Sequence, residues 1–463
     1  MKRKSILFIA ACLVLCLIPS VGMLFFPTTQ TTENKTMAAP PALIAQDGSL
    51  NKAFIQDFEA YFNEHIALRN PLVFADACIQ TGLFQESNVS GVIAGTDGWL
   101  YYASTLSDYL GTGILSSRQL YNLANNFAIV QDYLQAKNID FVLTIAPNKN
   151  TLYGEHMPYY KARIVDPDHS AVLLKPYLED RGVRYLDLFT LFESQDEVLY
   201  LKTDSHWNNK GAFLVYNQLM DTLSLPHADA SQAIPTLVKN KNGDLNRMLY
   251  SFYGKAENDY DYGLPQNYTY EKEDATVEDG WIVTRNPAGS GTLLMFRDSF
   301  ANTLIPFFSN AFETACYSKG EPNAMERYVQ TYSPDCVILE KVERNISNYL
   351  ENPPILTPVP VSVPESFTIA STDTALQIDT ALYDPAYYVL SGTLDPERLQ
   401  DDSQIFVSVN DVLYPAYQTG DATFTLYQSK AALPEESLRV QVYLRNAGHW
   451  LQVYSDTCPL PPA

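Results

Sequence analysis

Two short stretches carry residue types that do chemistry together. Asp204-Ser205-His206-Trp207 offers a carboxylate and an imidazole, and Arg297-Asp298-Ser299-Phe300 offers a hydroxyl later in the chain. A serine hydroxyl is a weak nucleophile until an imidazole takes its proton, and a carboxylate on the far ring nitrogen fixes the tautomer and steadies the imidazolium. Asp204, His206 and Ser299 therefore read as the acid, base and nucleophile of a serine esterase or acyltransferase. Taken singly, each motif also reads as a helix cap: Asp-Ser before an apolar run is a common N-terminus, and so is a lone His before a helix.

The elements that must position these groups are legible as alternating strand and helix. Ile139 to Ile145 is a β-branched and aromatic run stopped by Pro147, Gly182 to Leu188 is a second strand candidate, and Thr292 to Phe296 is a third, broken by Arg297-Asp298-Ser299. Phe300 to Phe308 reads as helix, with Pro306 kinking or ending it. Ser299 then sits at a strand-to-helix turn, where amide groups face developing negative charge. On the other motif, Asn208 or Asn209 caps a helix running through Ala212, Val215, Leu219 and Met220, and Trp207 wedges the loop that holds His206.

The chain has 463 residues, more than one ordinary core, and 46% hydrophobic residues argue for packed structure. A formal net charge of -22 excludes an electrostatic grip on nucleic acid or anionic lipid. Lys2-Arg3-Lys4 precedes an apolar run from Ser5 to Phe26, long enough to cross a ~30 Å hydrocarbon core. The run is long for a cleaved signal peptide, and Pro27-Thr28-Thr29-Gln30 lacks a small-x-small cleavage site. The expectation is an uncleaved single-pass cell-membrane anchor, N-terminus cytoplasmic and the remainder extracellular. Ile9-Ala10-Ala11-Cys12 is read as membrane filler rather than a lipoprotein box, because the apolar run continues past it.

Thr28 to Pro41 reads as a solvated tether, and Phe54, Ile55, Phe58, Tyr61 and Phe62 recur at helical spacing, so an amphipathic helix is expected to pack this segment on the main domain. Of six cysteines, Cys12 and Cys16 fall in the anchor. Cys316 and Cys336 lie in or beside apolar strand-like runs, as buried thiols or as one bridge between neighbouring strands.

Five blocks together resemble one family. Gly95 to Tyr101, Ala146-Pro147-Asn148-Lys149 through Tyr153, Thr203 to Trp207, Arg297 to Phe300 and Glu340 to Asn345 follow, in order, the pattern of the SGNH-like acyltransferases of the alginate O-acetylation and DHHW-motif family. The resemblance spans roughly residues 90 to 346. It implies an α/β, SGNH-hydrolase-like three-layer domain and assigns the triad to Asp204, His206 and Ser299. Two departures stand out. The DHHW motif reads Asp-Ser-His-Trp here, with Ser205 for the first His, and Arg297 replaces the glycine of the better-known GDS form, which is expected to alter access to the pocket.

Within that frame the Ser299 amide is one oxyanion donor and Asn148 a candidate for the second. Lys149 and Arg344 are candidates for binding substrate hydroxyls or carboxylates, or else pair with core carboxylates. No glycine loop cradles a phosphate and no cluster has metal-ligand spacing, so neither metal nor cofactor is expected.

From about Thr357 the character changes. Pro353, Pro354, Pro358, Pro360 and Pro364 make a stiff connector, after which short strand-like runs recur between turn residues as a small β-sandwich. In related alginate-modifying enzymes such a sandwich binds carbohydrate. Trp450 and the tyrosines stack on sugar there, or fill the core, as large rings more often do. The expected organisation is a cytoplasmic tip and anchor over 1–26, tether and helical segment over 27–86, catalytic domain over 87–352, and connector plus sandwich over 353–463. The expected function is an extracytoplasmic O-acetyltransferase working through an acetyl-serine on a polysaccharide acceptor, supplied with acetyl by a membrane-bound O-acyltransferase partner. The alternatives are a carbohydrate acetylesterase of the same fold and a noncatalytic glycan-binding envelope scaffold.

Overall fold

The computed structural model describes residues 3–29, 37–44, 48–227, 234–250, 254–320, 322–370, 374–433 and 436–461. The tether expected over 28–41 falls partly outside these. Helix α1 (Arg3–Gly22) leaves nearly all its apolar side chains exposed, and its 20 residues span about 30 Å. It is therefore long and apolar enough to cross a bilayer. Helix α2 (Phe54–His65) buries none of its residues, contrary to the expected packing of its aromatic face. The docking is done instead by α3 (Arg69–Ile79), whose Ala77 is fully buried.

A hairpin, β1 (Val92–Ala94) and β2 (Leu100–Tyr102), precedes α4 (Ser117–Gln135), which opens on a capping box between Ser116 and Gln119. Strand β3 (Asp140–Ala146), α5 (Ser170–Asp180) and β4 (Tyr185–Leu186) follow, so the expected strand over 182–188 is reduced to two residues. Helix α6 (Asn209–Thr222) starts at Asn208, whose side chain accepts from the Gly211 amide as the sequence implies. Beyond it, β5 (Thr236–Lys241) pairs with β6 (Glu257–Asp261) around α7 (Asp244–Tyr250). The remaining domain elements are β7 (Thr269–Tyr270), β8 (Trp281–Arg285), β9 (Thr292–Arg297), α8 (Ile305–Ala311), β10 (Thr314–Lys319), α9 (Met325–Tyr332) and β11 (Cys336–Val342).

One sheet of order β4-β3-β11-β9-β10-β8-β7 organises this domain, parallel from β4 to β10 and antiparallel at β8 and β7. Strand alternation feeds two cores. Leu294 and Phe296 of β9 join the helices α4, α5 and α9 on one face, while Leu293 and Met295 join α6 and α8 on the other. Fully burying one such side chain stabilises by about 1.5–3 kcal/mol, so a sheet covered on both faces is the dominant apolar term. The arrangement is a three-layer α/β domain. Pro306 sits in the first turn of α8, where its missing N–H costs nothing, so it starts that helix rather than ending one. Cys316 on β10 and Cys336 on β11 are buried free thiols separated by β9, hence not on neighbouring strands.

The C-terminal part is a sandwich of a five-stranded and a four-stranded sheet. Its strands are β12 (Thr368–Ile369), β13 (Ala375–Thr380), β14 (Tyr387–Thr393), β15 (Gln404–Val409), β16 (Val412–Pro415), β17 (Tyr417–Gln418), β18 (Thr423–Ser429), β19 (Ser437–Asn446) and β20 (His449–Pro459). Leu390, Val407, Leu426, Val440 and Val442 fill its centre. Trp450 packs on Phe406 and Tyr443 beside that core. The sandwich is fastened to α4 by polar side chains. Arg118 donates to the Asp421, Gln400 and Ser403 carbonyls, Asn122 to Gly420, and Asn126 exchanges two hydrogen bonds with the Gln418 backbone.

Candidate active site

The parallel strands end at one edge, and the loops leaving them meet there, as open α/β sheets arrange their sites. Ser299 follows β9, Asn148 follows β3 and Arg344 follows β11. The acid and base arrive on a separate loop, closed by a bridge between Tyr200 and Trp207 and lying before α6. His206 Nε2 is 2.8 Å from Ser299 Oγ, and His206 Nδ1 is 2.6 Å from Asp204 Oδ1. Asp204 is nearly fully buried. Burial pushes its carboxyl up, but the hydrogen bond and charge of His206, with help from Lys241 and the Asp244 amide, outweigh that and hold it well below the usual carboxylate range. It is an anion at neutral pH.

The loop is locked from two sides. Lys149 donates to the carbonyls of Leu201, Lys202 and Asp204 at 3.0, 2.9 and 2.5 Å, with its ammonium also over the Trp99 and Tyr101 rings of the β1–β2 hairpin. Burial pulls Lys149 down to about 7, against the opposing pull of Asp204, Asp244 and Glu257. From the other side, the Asp244 amide donates to Asp204 Oδ2, and its carboxylate accepts from the Ser205 amide and hydroxyl at 2.7 and 2.5 Å. This contact requires Gly243, since a Cβ there would lie 2.1 Å from the Thr203 carbonyl oxygen. Trp207 is buried, donates to Thr303 and packs edge-on against Phe300, which also meets the His206 ring. Asp204, His206 and Asp244 bring ligand-type atoms within 4.8 Å of one another, each already engaged by the hydrogen bonds just given.

The turn bearing the nucleophile is held by its neighbour. Asp298 accepts from the Phe300 amide at 2.8 Å and the Val342 amide at 2.7 Å, while its own amide donates to Glu340. Glu340 is fully buried, and burial followed by repulsion from Asp298 pushes its carboxyl well up. Arg297, contrary to the expectation that it shapes pocket access, is 1% exposed and turned away. Its guanidinium donates to Asn302 and to the Asp298, Val277 and Asp279 carbonyls, so it braces the turn.

A cleft of about 690 Å³ opens over Ser299 and His206. Ser90, Gly91 and Tyr102 form one wall, Asp244, Arg247 and Met248 of α7 another, and Arg344 reaches in from the end of β11. Among the described residues no protein acceptor meets the Ser299 amide, which leaves it to act as a donor. Two candidates are corrected. Asn148 is buried outside the cleft: its Nδ2 donates to Asp108, its amide to Glu343, and its Oδ1 accepts from Arg344. Lys149 is likewise spent on the loop and does not reach the cleft. Both sit at the start of a short helix after β3, where the chain turns inward. Gly243, Asp244 and Asp298 were missed. Asp298 lay inside a motif read only for its serine, and the forty residues between Asp204 and Asp244 hide their contact.

The fold and this constellation define an SGNH hydrolase-like domain. Residues 92–281 match the family described as SGNH hydrolase-like domain, acetyltransferase AlgX. The match includes Asp204 and His206 and ends before Ser299. Among curated relatives, "Probable alginate O-acetylase AlgJ" of Pseudomonas fluorescens is 28% identical over 183 residues, covering 38% of this chain and 44% of the relative. The protein of the same description from Pseudomonas syringae pv. tomato is 27% identical over 222 residues, covering 44% and 53%. The chain thus spans about half the length of the curated relatives it matches. Among solved structures, Bacillus cereus PatB1 is 19% identical with a TM-score of 0.44, over 55% of this chain and 96% of that one. The O-acetyltransferase domain of Pseudomonas putida AlgJ is 19% identical with a TM-score of 0.37, over 55% and 92%.

Proposed function

We propose that the chain is a membrane-anchored, extracytoplasmic O-acetyltransferase that modifies a polysaccharide through an acetyl-Ser299 intermediate. The observation that carries this reading is the continuous hydrogen-bonded line from Asp204 through His206 to the Ser299 hydroxyl. In the first half, Ser299 Oγ attacks the donor's acyl carbon as His206 Nε2 takes the hydroxyl proton. The tetrahedral intermediate collapses, the leaving oxygen takes that proton from His206, and acetyl-Ser299 remains. In the second half, an acceptor hydroxyl attacks the same carbon with His206 again as base, and Ser299 leaves with the proton. The Ser299 amide serves as one oxyanion donor and the Arg344 guanidinium, facing the same cleft, as the second.

The acetyl group is supplied by a membrane-bound O-acyltransferase partner, with residues 87–352 as the catalytic unit and 353–463 as its accessory sandwich. The test is the intact mass of the full chain in detergent after incubation with a small activated acetyl ester. The wild type gains one acetyl group, and Ser299→Ala and His206→Ala gain none. Adding oligosaccharides then separates transfer, which labels the sugar, from hydrolysis, which releases only acetate. A folded wild type that never acquires the adduct refutes the acetyl-serine route.

A further inference from the structure

Helix α3 has two apolar faces, and only one is used inside the protein. Ala77 and Phe74 turn inward, where Ala77 joins Leu245 and Leu249 of α7, Phe74 meets the Tyr250 ring and Tyr250 bonds to Thr81. The outward face of α3 carries Leu72 and Ile79, seven residues apart with the exposed Asp76 between them, and Leu68 at the helix's N-cap and Leu83 in the π-helical turn that follows flank it. All four are exposed, Leu72 at 49% and Leu83 at 76%. Helix α2 adds Ile55 and Phe58, again exposed and on one side. Exposed large apolar side chains grouped on one side of a segment in this way mark a surface that meets something else.

The attachment of this segment tells what covers it. The corner between α2 and α3 is hydrogen-bonded to the outer end of α1: the Ala67 amide donates to the Pro19 carbonyl, and Thr28 donates through its amide to His65 and through its hydroxyl to Ile66. Gly22 lies so close to Ala67 that a Cβ would approach within 2.9 Å. The apolar faces are therefore fixed at the level where a helix of membrane-spanning length ends. We propose that α2 and the outward face of α3 lie in the bilayer interface, with lipid as their occupant. An apolar face with polar residues opposite is the form such interfacial helices take, and lipid binding here draws on apolar area rather than charge. Because the inward face of α3 buttresses α7, which supplies Asp244, Arg247 and Met248 to the cleft, this seating also holds the cleft near the membrane surface.

The inference rests on α1 as the membrane anchor, and the experiment separates the two. The full chain is reconstituted at low protein density in phosphatidylcholine vesicles, with a single added tryptophan at Phe58→Trp, Leu72→Trp or, as a control on the sandwich, Leu382→Trp. The signal of the four native tryptophans is subtracted using the parent chain. Flotation reads the anchor, and quenching by spin-labelled lipid reads the interface. Quenching at 58 and 72 about threefold stronger than at 382, with blue-shifted emission, is expected for side chains among acyl chains. A chain that floats while 58 and 72 quench no more than 382 overturns the interfacial seating and leaves the anchor standing. Blue-shifted emission that appears only at high protein density, without lipid quenching, assigns the face to a second copy and overturns it too. A chain that fails to float removes the anchor and with it the seating.

Discussion

At the residue scale, Asp204 and Lys149 show how one loop is made rigid by opposite means. Asp204 keeps its charge by partnering His206, so Asp204→Asn, which favours the wrong tautomer, is expected to cut acyl transfer by roughly 10³-fold or more and, because the folded state holds this carboxyl below its ordinary range, to lower stability at neutral pH as well. Acetylation kinetics and a melting curve check both halves. Lys149 spends three donors on carbonyls of residues 201, 202 and 204; the Lys202 oxygen keeps the Leu100 amide, so Lys149→Met leaves two of them unpaired and costs about 3 kcal/mol in stability, measured by urea unfolding. Behind them, Asp108 accepts from Asn148, and burial, followed by repulsion from Glu343, pushes its carboxyl up to about 6 from an ordinary 3.8. A raised carboxyl binds protons better when folded, so its contribution is full below the ordinary value and is lost as pH rises through about 6. The thermal midpoint of Asp108→Asn relative to wild type should therefore climb between pH 4 and 6, to an advantage on the order of 2 kcal/mol at neutral pH.

At the element scale, the β9 turn is the part most exposed to a single change. Asp298→Ala strips the acceptor from two buried amides, Phe300 and Val342, and is expected to cost about 2–4 kcal/mol and to displace Ser299. Ser299 reactivity toward a fluorophosphonate probe, compared with native-state proteolysis, checks that displacement. The central strands were legible as short runs of β-branched, aromatic and other apolar residues bounded by turn residues, as strands buried on both faces are. So were the helix cap at Asn208 and the three residues, Asp204, His206 and Ser299, that the fold brings into one hydrogen-bonded line. What was not legible depends on distance along the chain. The aromatic spacing of α2 fitted a buried face, yet the face stays outside, because periodicity states that a helix has an apolar side and not what meets it. Asn148 carried a motif position that looked catalytic, but only the fold shows its side-chain Nδ2 turned to Asp108. Gly243 and Asp244 had no local pattern at all, since a glycine matters there only through the loop that approaches it.

At the scale of the whole molecule, the joint between the α/β domain and the sandwich carries a cluster of polar side chains from α4. Asn122 and Asn126 sit one turn apart on α4 and bond to the Gly420 and Gln418 backbone and the Gln418 side chain, fixing the geometry of a contact where Tyr417 also enters the α/β core. The intact chain should melt in a single calorimetric transition, whereas Asn122→Leu combined with Asn126→Leu should split it in two. The order of strands in the sheet has a further consequence, for the time the chain spends being made. Strand β3 pairs on one side with β4 and on the other with β11, and Asp140 waits for Cys336 to be synthesised. At ribosomal speeds that interval lasts about 10–40 s. Throughout it the stretch from Phe141 to Ile145, among the most apolar in the protein, has an open edge, and the acid and base emerge before the serine they serve. The nascent chain therefore carries an unpaired apolar edge until its sheet closes, and the hydrogen-bonded line from Asp204 through His206 to Ser299 forms only when folding is nearly done.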